Sequence, residues 1–259
     1  MSYELMKVRR VLFLIFPVVI FSACQSSRSI ERKMLGMRSE LFYELTTPAY
    51  LDANDTIYLK PIDYSAILPF TTVKKKGGLV IPLLIFNLVK AKYEVTLGEG
   101  SLEQPYYDFL MDALLAQCNR SSCFNLKVSK NDDLPDSALI LEIKVNKNIT
   151  TARMISYSGA FLNPLEENYV SGFSNWEINS PVSWLDISAR LMQHGNCIWE
   201  KNYTDTQDLS RKRHGITEDM NAYKNCIDAM TENLSYATKG IVENISQNLH
   251  LIMLQKRTK

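Results

Sequence analysis

Apolar and polar residues alternate through "SALILEIKVNKNITTARM" (137–154), where Leu139, Leu141, Ile143 and Val145 face one way and Glu142, Lys144 and Asn146 the other. A period of two predicts a strand with one dry and one wet face. The same period runs through Leu185, Ile187, Ala189 and Leu191, and "QHGN" then turns that strand back into "CIWEKNYTD" as a hairpin. "DTIYLKPIDYSA" (55–66), with Ile57, Leu59 and Ile62, reads as the first strand, and "FNLKVSK" (124–130) as another. Elsewhere the spacing changes to three and four. Phe109, Leu110, Ala113 and Leu114 predict a helix over 100–118, with Pro105 in its first turn. From about Thr217 to Leu254, Met220, Tyr223, Ile227, Met230, Leu234, Ala237, Ile241, Ile245 and Leu249 form one stripe of a long amphipathic helix, and Gly240 is expected to bend it. The order predicts an α+β fold: an antiparallel (mixed) sheet with two helices packed on one face, the C-terminal helix long. Residues 51–255 are expected to form this single domain.

Two stretches interrupt the pattern. "KKKGG" (74–78) reads as a turn, and the apolar run "LVIPLLIFNLV" (79–89) follows it. That run is either a buried or bent strand, with Pro82 at a bulge or edge, or a lipid- or partner-facing lip with Lys74, Lys75 and Lys76 beside it at headgroup level. It is too short to span a bilayer. The second stretch, 157–181, reads as a long insertion bearing Tyr157, Phe161, Tyr169, Phe173 and Trp176. Aromatic residues on a loop are candidates for contact with a carbohydrate or a protein partner, unless they fold back over the sheet.

The N-terminus has a different character. Lys7, Arg9 and Arg10 precede an unbroken apolar run at 11–21, followed by Ser22 and Ala23, which is the order of a secretory signal peptide over residues 1–23. "FSAC" at 21–24 places a large apolar residue, two small ones and a cysteine in succession. This resembles the lipobox of bacterial lipoproteins, which usually has Leu where Phe21 stands. The resemblance implies that the Cys24 thiol takes a diacylglyceryl group, that cleavage follows, and that the new amine is acylated with a fatty acid such as palmitate. Acyl chains of that kind hold a protein on a membrane firmly. A plain secreted protein cut after Cys24 is the alternative. In the enterobacterial version of the family, Asp after the cysteine retains the protein at the inner membrane; Gln25 here points to the outer membrane. Residues 24–50 are then expected to be a polar tether.

Loss of residues 1–23 removes three of 29 basic and one of 28 acidic residues, leaving a charge near −1. Without a basic excess, nucleic acid is not an expected partner. Cys118, Cys123, Cys197 and Cys226 remain, an even number that suits disulfides in an oxidising compartment, with Cys118–Cys123 and Cys197–Cys226 one possible pairing and four buried thiols the alternative. No metal site is expected, because His194, His214 and His250 have no partner at ligand spacing. Asn54, Asn119, Asn148, Asn202, Asn233 and Asn244 each begin an N-x-S/T sequon, which would suit a secreted glycoprotein. No nucleophile elbow, zinc-protease helix or phosphate-cradling glycine loop is present. Glu166 and Glu167 are adjacent and so poorly placed to converge on one bond. No catalytic residue and no cofactor is expected.

The element order resembles that of small envelope lipoproteins, among them the lipopolysaccharide-assembly lipoprotein and the auxiliary lipoproteins of lipid-transporting ABC systems, over roughly residues 51–254. That resemblance implies a non-enzymatic, membrane-anchored accessory subunit of an envelope assembly or transport system, with an envelope protein as partner and residues 79–89 or 157–181 at the contact. The competing expectation is a glycan- or peptidoglycan-binding lipoprotein that uses the aromatic segment. An enzyme with an unfamiliar site is a third.

Overall fold

A computed structural model describes residues 26–45, 55–64, 68–82, 86–129, 137–162, 170–179, 181–208, 213–215 and 219–258. In chain order these form helix α1 (Ser27–Met34), strands β1 (Asp55–Leu59), β2 (Asp63–Tyr64), β3 (Thr72–Pro82) and β4 (Phe86–Thr96), and a 3-10 turn (Glu99–Ser101). Helix α2 (Tyr106–Ser121) and strands β5 (Phe124–Val128), β6 (Leu139–Leu162), β7 (Val170–Ile178), β8 (Val182–Gln193), β9 (Asn196–Asp208) and β10 (Arg213–Gly215) follow, then helix α3 (Asp219–Arg257). The expected α+β class, with a mixed sheet and a long last helix, is what the structure has. Among the described residues no helix is long and apolar enough to cross a membrane.

The described strands join one sheet, and β6 is its spine. Its 24 residues compare with about 5–6 in an ordinary strand. The first half has β1 and β2 parallel on one side and β8 antiparallel on the other. The second half has β4 and β7, both antiparallel. Beyond these lie β5, β9, β3 and β10. A strand this long passes through one bulge, between Val145 and Lys147. The extra residue switches the buried series from Leu139, Leu141, Ile143 and Val145 to Asn148, Thr150, Ala152 and Met154. Without it the second half would turn its polar side to the core. The expected β8–β9 hairpin closes through His194 and Gly195, both at positive φ (49° and 73°), as a two-residue turn of the primed kind requires.

Helices α2 and α3 cover the dry face. Tyr223, Ile227, Met230, Leu234, Ala237, Ile241, Ile245 and Leu249 of the predicted stripe are all buried. Gly240 sits where α3 and β9 come close: a Cβ there would lie 2.9 Å from Asp205 Oδ2. Arg257, near the helix end, donates to Asp55 Oδ2 (2.9 Å) and to the Cys123 carbonyl (2.8 Å), fastening the last turn to β1 and β5.

Four expectations are corrected. The polar stretch 24–50 is not slack throughout, since α1 forms within it. Ser26 caps α1 by accepting the Ser29 N–H (3.2 Å), and Ile30, Met34 and Leu41 enter the core. Helix α2 starts at Tyr106, behind Pro105, and residues 99–101 make a separate 3-10 turn. "KKKGG" is no turn. It lies inside β3, paired with β4 through a bulge between Lys75 and Gly77. Nor is 157–181 an insertion: it contains the end of β6 and all of β7.

Candidate functional site

Tyr157 and Trp176 stand in strands and not on a loop, and they face opposite sides of the sheet. Trp176 points to the dry face, 3% exposed, between Tyr93 (centroids 5.9 Å) and Tyr223 of α3 (5.3 Å). It is a core residue, and the expectation that it contacts a ligand is overturned by its burial. Tyr157 lies on the opposite face. Its hydroxyl donates to Glu177 Oε2 (3.1 Å), and Lys90 Nζ stands 4.9 Å from its ring centre. In the β6–β7 ladder Phe161 stands opposite Ser171 and Phe173 opposite Gly159. The two phenylalanine side chains, all of Tyr169 and the Glu166–Glu167 pair lie outside the described residues, as does Cys24.

The cysteines stand as free thiols, so neither expected bridge is present. Cys118 and Cys226 are fully buried, and burial pushes both thiols up to about 12, a little offset at Cys118 by a hydrogen bond with Ser246. Cys226 faces Met230 within its own helix (S–S distance 3.8 Å), whereas its expected mate Cys197 is exposed on the β9 hairpin. Cys123 faces α3, its thiol donating to the His250 carbonyl. Neutral buried thiols are poor nucleophiles and poor metal ligands.

His250 Nδ1 accepts the Cys123 N–H (3.1 Å), and His194 occupies the hairpin turn. His214 belongs to β10, paired with Glu177, and its side chain is outside the described residues. Among the described residues no group of three or more His, Cys, Asp or Glu could hold a metal. Two sequons are closed to glycan by the fold, since Asn233 and Asn148 are buried. Asn119 is exposed, its side-chain amide bonded to both the N–H and the carbonyl of Leu126.

The surface that stands out is the β3–β4 arm. Among the described strands β3 pairs with β4 alone and so forms an edge, and from Lys74 to Ile81 every residue is exposed. Three large apolar side chains in a row, Leu79 (57%), Val80 (41%) and Ile81 (40%), stand in solvent. Register places Leu79 beside Lys90 and Gly77 beside Lys92. An open groove of about 470 Å³ runs along this edge, lined by Lys75, Lys76, Leu79, Val80, Val89 and Lys90. The Lys76 ammonium pairs with Glu94 (3.1 Å). The arm is tied to α1, since Glu31 Oε1 accepts the Val73 N–H (2.8 Å) just before the lysines begin. The run 79–89 is not the single strand of the first reading: it ends β3 at Pro82 and opens the antiparallel β4 at Phe86, and its β3 part through Ile81 is exposed.

No protein-family model and no curated protein matches this chain. Two solved structures are similar in outline. One is a Xanthomonas campestris protein assigned to the family DUF330, with TM-score 0.43 and 12% identity, covering 85% of this chain and 98% of that one. The other is a neuraminyllactose-binding hemagglutinin homolog from Helicobacter pylori, with TM-score 0.39 and 9% identity, covering 83% and 97%. At such identity no residue role carries across.

Proposed function

We propose that this chain is a non-enzymatic lipoprotein of the cell envelope, anchored in the outer membrane through an acylated Cys24, that serves as an accessory subunit of an assembly or transport system. One observation carries the reading. Cys24 precedes the α1 cap, Ser26, by only two residues, or about 7 Å of chain, and α1 is packed into the core. A lipid at Cys24 therefore holds the body close against the bilayer, where a membrane-bound partner is within reach. The apolar β3 edge supplies a surface that would be covered in such a complex. The glycan-binding alternative loses its central ring with the burial of Trp176.

The test is affinity purification from detergent-solubilised envelopes, comparing wild type with Cys24→Ala and reading the N-terminal mass and the co-purifying proteins. A diacylglyceryl and acyl mass increment on Cys24, with an envelope protein recovered only by the acylated form, is the expected result. An unmodified N-terminus would overturn the anchor. An acylated protein recovered alone would overturn the accessory role, as would hydrolytic activity lost through a single substitution.

A further inference from the structure

We propose that the exposed stretch Lys74–Ile81 of β3 docks on a bilayer surface carrying anionic headgroups. This deepens the envelope reading above by naming what covers the edge.

The argument begins with what an edge strand needs. Unpaired N–H and C=O groups along an exposed edge invite pairing with another chain, and proteins usually blunt such edges with charge. Lys74, Lys75 and Lys76 do so for the first part of β3, but Leu79, Val80 and Ile81 continue the same edge without protection. Solvated apolar side chains in a row are costly unless something covers them.

Charge decides between the possible covers. Strands β3 and β4 together carry five lysines (74, 75, 76, 90 and 92) and one acidic residue, Glu94. A second copy paired along this edge would bring its own lysines onto the same seam, and like charges oppose that. An anionic bilayer complements the pattern instead. Lysines reach phosphates through flexible stems while neighbouring apolar side chains enter the acyl boundary. The order along the strand fits this geometry, lysines first and then Leu79–Ile81, over about 25 Å from Val73 to Ile81. The groove at the bulge, lined by Lys75, Lys76 and Lys90 beside Leu79 and Val80, has room for a headgroup phosphate.

The test is vesicle flotation of the chain from residue 24 onward carrying Cys24→Ala, so that no acyl chain contributes. Vesicles are phosphatidylcholine alone, or an equal mixture with phosphatidylglycerol. Binding to the mixture and not to pure phosphatidylcholine is expected. Lys74→Gln, Lys75→Gln and Lys76→Gln together should weaken it roughly a hundredfold, at about fivefold per lysine. The corresponding three Arg substitutions should keep binding, which separates loss of charge from loss of fold. Leu79→Ser with Ile81→Ser should weaken it about tenfold and leave the remainder more sensitive to salt. No flotation, equal flotation with neutral vesicles, or flotation indifferent to both sets of substitutions would overturn the proposal. So would a wild-type dimer in sedimentation that the Leu79→Ser, Ile81→Ser variant dissociates, since that makes a second copy the occupant. The outcome is independent of acylation: a protein with an unmodified N-terminus can still float, and an acylated one can fail here once Cys24 is replaced.

Discussion

Trp176 shows how far a single residue can be read from sequence. Its neighbours in the chain suggested an aromatic loop, yet Ser156 sits opposite it in β6 and Tyr223 above it in α3. Neither partner is close in sequence, and burial was decided by them. Trp176→Ala should therefore act on stability, costing about 3–5 kcal/mol in urea unfolding; a loss of less than 1 kcal/mol would contradict the packing described. The thiols make a second case. An even cysteine count is compatible with bridges or with core packing, and only the placement of Cys226 on the buried stripe of α3 separates the two. Cys118 and Cys226 ionise at about 12 in the fold, against 9.0 for an ordinary thiol. The folded value is the higher, so their contribution is complete below pH 9 and is lost as pH rises from 9 towards 12. Each thiol should add a slope of about 1.4 kcal/mol per pH unit in that window. Urea midpoints measured on either side of pH 9 should fall more steeply for wild type than for Cys226→Ala.

Elements with a clean period were legible. The first half of β6, β8, the β8–β9 hairpin and α3 stand where alternation and three-four spacing put them, because each buries a single face. Elements whose pattern is broken were not. The polar composition of residues 25–50 hid α1, whose contribution to the core rests on two side chains four residues apart, Ile30 and Met34. Ile30→Ala should cost about 2–5 kcal/mol, measured by urea unfolding; an unchanged midpoint would return this segment to the status of a tether. The paired glycines drew "KKKGG" towards a turn, although Lys76 and Glu94 were a sequence-level hint of a cross-strand pair. The β3–β4 edge was visible in outline as a lysine-flanked apolar run. Its exposure was not, because nothing local says which strand ends a sheet.

At the scale of the molecule, fold class was readable and the partner of the exposed edge was not, since composition is nearly neutral while β3 and β4 carry five lysines against one acidic residue. The chain order of the layers has a further consequence, for the timing of assembly. Every strand precedes α3, yet α3 supplies the main cover of the dry face and closes contacts with the far end of the sequence, as in Ser235 with Phe42 and Arg257 with Asp55. Such contacts span most of the chain, and topologies dominated by them fold slowly. During synthesis much of the apolar face of the sheet therefore waits for the 39 residues of α3 to emerge. The strands of this sheet cannot complete their core before α3 has been made, so closure of the fold is a late event whatever the order in which the strands pair.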